Sequence, residues 1–376
     1  MFVIKLAPLD NDEFYIRFDS YVKNLRDPLF PNFLQHVFLN AQKSDEFEFN
    51  GKQLKEDLEA FTNEMSNEFL EDIIPIEKQK LPEFRSDQDH LKLKIRDIWG
   101  ESLDLLRILF LMSYEVGSNF NHEEQKNPEI NQDYVFIALT HLHGKACQTF
   151  FEIITLLENG FASGANARWR TLEEIAVISY FIKKHGQEIA ERYLNHSFID
   201  SRKSMEKHNE HADRLGLEKY SDEDIRKIQE KCSELEIKYG PNYSEDYGWA
   251  APCFPSKNGR KSARINYSML EKDVNLDNLR PYYKMASHAV HAHSKGILFN
   301  ISYHPTENVI PSGSSIFGLA DPGQLAAISM VQINSILLTS KPTVTRLVFL
   351  KGMEKLLAEI KTSFSSNHMR LEESRN

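Results

Sequence analysis

Apolar residues recur at every third or fourth position along most of this chain, and that spacing predicts helices. Leu54, Leu58, Phe61, Met65, Phe69 and Ile73 mark a first amphipathic helix over 51–72, with Pro75 and Pro82 as its stop. Four further patterns cover 88–117, 132–158, 163–184 and 187–214, and Gly117, Gly160, Gly186 and Gly216 stand where C-terminal glycine caps belong. A charged helix is expected over 221–238, then an irregular aromatic stretch, "YGPNYSEDYGWAAPCFP", at 239–255. Pro281 suits the first turn of a helix running to about Lys295. A Gly/Pro/Ser loop follows at 304–323, and helices over 323–339 and 343–362 complete the pattern.

Alternating strand patterns are scarce after residue 50, so the expected fold class is all-α, a multi-helix bundle. The first fifty residues mix short apolar pieces with Pro28 and Pro31 and read as a small segment of strands or short helices. The expected organisation is an N-terminal segment at 1–84, a helical core at 85–362 and a polar tail at 363–376.

Composition narrows the function classes. A formal net charge of -10 repels nucleic acid at long range, so duplex DNA is not an expected partner. Cys147, Cys232 and Cys253 form no CxxC pair, which argues against a disulfide framework and for a reducing cytoplasm. The opening "MFVIKLAPLDNDEF" lacks the pattern of a secretory signal, and "LLRILFLM" at 105–112 is too short for a membrane span and contains Arg107. No membrane association is expected.

The chemistry concentrates in two blocks. In "ANARWRTLEEIAVISYFI", 165–182, Arg170 falls between Glu173 and Glu174 on a helical wheel, whereas Arg168 lies on the other side, between Leu172 and Ile175, and needs a partner from another element. Such charges inside a core are either paired or used to hold an anion. In "YYKMASHAVHAHSKG", 282–296, Lys284, Ser287, His288 and His291 share one face, with Ser287 and His291 one turn apart. The candidate catalytic set is therefore His291 as acid/base, Ser287 beside it, Arg168 and Arg170 on an anionic group, and Glu174 next to Arg170. Tyr247 and Trp249 of the aromatic stretch offer faces for a planar ligand, with Lys284 and His288 as further ligand-binding candidates. HExxH and paired ExxH ligand sets are absent, as are GxxxxGK[ST] and GxGxxG, so neither a metal nor a nucleotide cofactor is expected.

The blocks "RWRTLEE", "ERYLNH", "YGWA", "YKMASHAVHA" and "GLADPG" resemble, in order and spacing, an uncharacterised bacterial family classed as a domain of unknown function. That resemblance spans about 95–345 and implies a helical, cytoplasmic protein. A looser resemblance is to HEPN proteins, helical bundles of toxin–antitoxin and phage-defence settings, many of them dimeric, metal-independent ribonucleases. Their signature places a histidine four to six residues beyond an arginine. Arg85 with His90 and Arg202 with His208 have that spacing, with Ser86 and Lys203 after the arginine, while seven residues separate Arg280 from His288. Two functions are expected from these readings: an effector acting on RNA or a nucleotide through a His/Arg pocket, with a homodimer as the implied assembly, or a non-enzymatic ligand-sensing or protein-interaction module.

Overall fold

The computed structural model describes residues 29, 32–33, 35–37, 51–127, 129–255, 264–291, 294–298 and 313–373. Most of the mixed segment expected over 1–50, and residues 304–312 of the loop expected over 304–323, lie outside them. The described elements are helical throughout: α1 Gly51–Glu124, α2 Tyr134–Glu158, α3 Ala162–His185, α4 Gln187–Leu215, α5 Asp222–Tyr239, α6 Tyr267–Asp273, α7 Arg280–Val290, α8 Ser294–Leu298, α9 Ala320–Ser340 and α10 Val344–Glu373. No strand occurs among the described residues, and no described helix is long and apolar enough to cross a membrane. The fold is all-α.

Contacts divide the chain at residue 88 into two compact units. In the first, Phe33, Val37 and Phe61 form a small apolar cluster with Met65 against it. The second, residues 89–376, carries the main core. Its centre is α9, which is buried almost all round and packs against α2, α3 and α10. A helix apolar on every side can only be stable when enclosed in this way. On one flank α4 pairs with α5, and on another α7 lies along α3.

Local signals explain many of the helix ends. Ser221 accepts a hydrogen bond from the Asp224 amide at 3.1 Å and starts α5. Gly186 and Gly216, with φ of 79° and 65°, follow the last residues of α3 and α4, as expected. Three ends differ from the sequence pattern. The helix passes through Pro75 and Pro82, because the carbonyls they orphan, of Glu71 and Lys78, belong to exposed residues and can be hydrated. The tail expected from 363 onwards is instead the last part of α10, held by buried Phe364, Asn367 and Leu371. Helix α7 stops at Val290: the His291 amide still donates to the Ser287 carbonyl at 3.1 Å, and the His291 backbone is then extended.

Gly117 is not a cap either, since α1 continues to Glu124. It lies against the imidazole of buried His143, and a Cβ there would stand 2.2 Å from the ring. That ring belongs to a polar tie between three helices. The Asn334 side chain donates to Ser113 Oγ at 2.7 Å, so its oxygen accepts from His143 Nε2 at 2.9 Å. His143 is thereby fixed with its proton on Nε2, and burial pushes its pKa down. Gly117→Ala should lower stability by about 1–3 kcal/mol, the usual cost of overfilling a core. Urea titration of Gly117→Ala, His143→Ala and the double variant checks this; strictly additive losses would place the clash elsewhere.

Candidate functional site

The aromatic stretch folds as two short 3₁₀ turns, Pro241–Ser244 and Gly248–Cys253, that double back on each other. Gly248 permits this, because a Cβ would lie 2.3 Å from the carbonyl oxygens of both Asn242 and Tyr243. Arg192 of α4 holds the turns in place. Its buried guanidinium donates to the carbonyls of Trp249, Gly248 and Tyr239 at 3.0, 3.3 and 3.4 Å and lies over the rings of Tyr239 and Tyr243. The Tyr243 hydroxyl returns a bond to the Arg192 carbonyl at 2.7 Å.

One helical turn beyond Arg192 stands His196. Its Nε2 faces the carbonyls of Tyr243 and Glu245 at 3.1 and 2.9 Å, and since both can only accept, Nε2 carries a proton and donates. Nδ1 is left 3.5 Å from the Asp200 carboxylate, one further turn along α4. His196 and Asp200 line a cleft of about 850 Å³ together with His141 and Lys145 of α2, Tyr193 of α4 and Tyr247. That volume lies within the range of small-molecule sites.

Both predicted aromatic residues border this cleft, in different states. Trp249 is buried edge-on between Phe181 and Tyr193, with ring centroids 5.6 and 5.0 Å away. Tyr247 is half-buried and forms the open aromatic wall. Burial, reinforced by the charges of Glu174, Asp246 and Glu271, pushes its hydroxyl up to about 12, so it stays a neutral donor at physiological pH.

Behind Tyr247 lies the charged half of α3. Arg170 donates to the Tyr283 hydroxyl at 2.9 Å, its guanidinium sits 4.6 Å from the Tyr283 ring, and Tyr283 in turn donates to Glu174. Ile178, two turns beyond Arg170 on the same face, reaches the cleft. Glu173 points deeper: it accepts from Ser329 Oγ of α9 at 2.6 Å, and Ser329 accepts from the Trp169 indole at 3.0 Å. Burial pushes Glu173 up to about 7. Below it Glu271, also buried, pairs with Arg280.

The expected set is thus distributed over three places. Arg170 and Glu174 meet α7 through Tyr283. Arg168 turns the other way, to Glu152 and Thr149 of α2, the inter-element partner its position on the wheel demanded. Lys284 is exposed on α7, Ser287 and His288 are partly buried, and His291 is exposed in extended backbone beyond the helix end. The Ser287 hydroxyl donates to the Tyr283 carbonyl one turn back at 2.9 Å. Arg192, His196 and Asp200, the residues that organise the cleft, were not singled out by the sequence reading. Their signal was the i, i+4, i+8 spacing of three ionisable groups on α4, ordinary for a solvated face until the aromatic turns cover it. Among the described residues no group of three or more His, Cys, Asp or Glu side chains could hold a metal ion.

The span Phe136 to residue 308 covers the cleft and all of the charged cluster except Ser329. It matches a family of unknown function, DUF5677. The blocks "RWRTLEE", "YGWA" and "ASHAVHA" all fall within the DUF5677 match. Comparison with curated proteins and with solved structures gives no match.

Proposed function

We propose that this chain binds a nucleotide, or a nucleotide of single-stranded RNA, in the cleft between α2, α4 and the aromatic turns, and that His196 serves there as acid/base. The observation that carries the reading is the setting of His196. Two main-chain carbonyls hold its Nε2 proton, so the ring cannot turn, and Nδ1 is the nitrogen left to exchange a proton, with Asp200 at hand to stabilise the imidazolium. Tyr247 supplies a face for a base, and on α2 Lys145 supplies charge and His141, one turn away, a ring nitrogen for a phosphate. Arg170 and Glu174 act in this reading as supports for the Tyr247 wall, and Arg168 as a tie between α3 and α2. The RNA side of the proposal, and a defence- or stress-related effector as its setting, draw on the resemblance to HEPN-type proteins.

The second reading, a ligand-sensing module without turnover, is favoured by one observation: Arg168 and Arg170 already have carboxylate partners inside the fold. One experiment separates the two. Binding of a panel of nucleoside monophosphates and a short RNA is measured by calorimetry, and turnover by mass spectrometry of the products. The enzyme reading expects turnover that falls about a hundredfold in His196→Asn while binding persists, and a Kd about tenfold weaker in Tyr247→Ala. Binding without turnover in the wild type supports the sensor. Absence of binding, or turnover unchanged in His196→Asn, overturns the assignment of this cleft.

A further inference from the structure

Three buried polar atoms around the charged half of α3 have no hydrogen-bond partner among the described residues: Asn166 Oδ1, Arg170 Nε and the Tyr267 hydroxyl. Asn166 and Tyr267 are only 6% and 8% exposed, and native folds leave few such groups unserved. The two atoms on α3, an acceptor and a donor, belong to residues one helical turn apart. The Tyr267 ring packs 5.0 Å from that of Tyr283, which joins Arg170 to Glu174. Its hydroxyl stands among carboxylates: burial, with the charges of Glu173, Glu271 and Glu174, pushes its pKa up. Formal charge is unbalanced there. Arg170 faces Glu174 and Arg280 pairs with Glu271, so Glu173, 1% exposed, has the Ser329 hydroxyl but no cationic partner among the described residues.

We propose that this cluster binds a small amino alcohol, its ammonium at Glu173 and the Tyr267 oxygen and its hydroxyl between Arg170 and Asn166. A hydroxyl accepts from Arg170 Nε and donates to Asn166 Oδ1 at once, which an ammonium alone cannot do. The ammonium supplies the missing positive charge, and each of the three atoms gains a partner. An anion would meet three carboxylates, and no three His, Cys, Asp or Glu side chains among the described residues converge as a metal requires. Glu174, with its side chain 37% exposed, marks the way in from solvent. The ligand competes with a proton, because burial pushes Glu173 up to about 7. The titratable groups that face this carboxyl are Tyr180 of its own helix and Tyr267 and Glu271 of α6, with Ser329 from α9. From α7, Arg280 holds Glu271 and Tyr283 holds Glu174. Burial pushes both Tyr180 and Tyr267 up, so they keep their protons.

Calorimetry on the full chain with ethanolamine, ethylamine, ethylene glycol and tetramethylammonium tests this. Ethanolamine is expected to bind about tenfold tighter than ethylamine, the worth of a hydroxyl paired with a charged donor, and the other two compounds to give no binding. Affinity for ethanolamine rises about tenfold per pH unit up to 7 and levels off above it, as the proton leaves Glu173. Glu173→Gln removes that pH step and weakens binding about tenfold. Asn166→Ala keeps the step but cuts the preference for ethanolamine over ethylamine about fivefold. Should Glu173→Gln fail to fold, Tyr267→Phe is the second route and weakens both amines about fivefold. His196→Asn leaves every value unchanged, which separates this site from the cleft. The proposal is overturned if neither amine binds, if the two bind equally, if tetramethylammonium or the glycol binds as well as ethanolamine, or if folded Glu173→Gln binds as the wild type does. Loss of binding in His196→Asn overturns it too, by placing the amine in the cleft.

Discussion

Arg192→Ala is expected to lower the unfolding free energy by about 4 kcal/mol, the loss of several charge-assisted hydrogen bonds in a buried site. The guanidinium is the donor for carbonyls of Trp249, Gly248 and Tyr239 and fills the space over two tyrosine rings. Alanine leaves those carbonyls without their donor and opens a cavity beneath the aromatic turns. Lysine is no remedy, because a single ammonium cannot span the carbonyls or lie flat on the rings. Because the same turns present to His196 the carbonyls that hold its ring, the variant should also lose ligand binding in the cleft. Urea denaturation followed by circular dichroism gives the stability. A loss below about 1 kcal/mol would mean that the turns stand without Arg192, and that their packing against α4 is sufficient.

Glu173→Gln should change the pH dependence of stability by about 3 kcal/mol. The native carboxyl titrates near 7 because it is buried, against 4.5 as its ordinary value. Its folded pKa is therefore raised: its contribution is fully present below pH 4.5, where both states hold the proton, and is lost as pH rises through 7, where the native state must ionise a buried group. Glutamine stays neutral and keeps an oxygen for Ser329, so it avoids the loss. The stability of the variant relative to the wild type should rise across pH 4.5–7.5 and then level off. Buried His143 works in the opposite direction, since its depressed pKa makes the native state lose stability as pH falls below about 6.5. For that reason the comparison is made between variant and wild type at each pH, which cancels His143. Parallel stability curves for the two proteins would place Glu173 in contact with water.

The charged half of α3 illustrates how far the amino-acid pattern reached. Helical spacing placed Arg170 with Glu174 and sent Arg168 to a different element, and the structure pairs them in those directions, with Glu174 and Glu152. The pattern did not reveal that Tyr283 stands between Arg170 and Glu174, or that Glu173 is the carboxyl enclosed by Ser329, because both contacts join residues more than 100 positions apart. His291 shows the complementary limit. Its place on a shared face with Ser287 assumed a helix running on to about Lys295, but the helix ends at Val290 and His291, whose amide still donates to the Ser287 carbonyl, has extended backbone.

Periodicity, glycine positions and capping residues determined that this chain is all-α and where many of its helices begin and end, because those signals act within a few residues through backbone geometry and burial of one face. The identity of the cleft was decided by tertiary structure alone. Arg192, His196 and Asp200 become a site only when residues 239–253 fold over α4 and supply the carbonyls that fix the histidine, and the cost of leaving those buried carbonyls without donors holds the arrangement together.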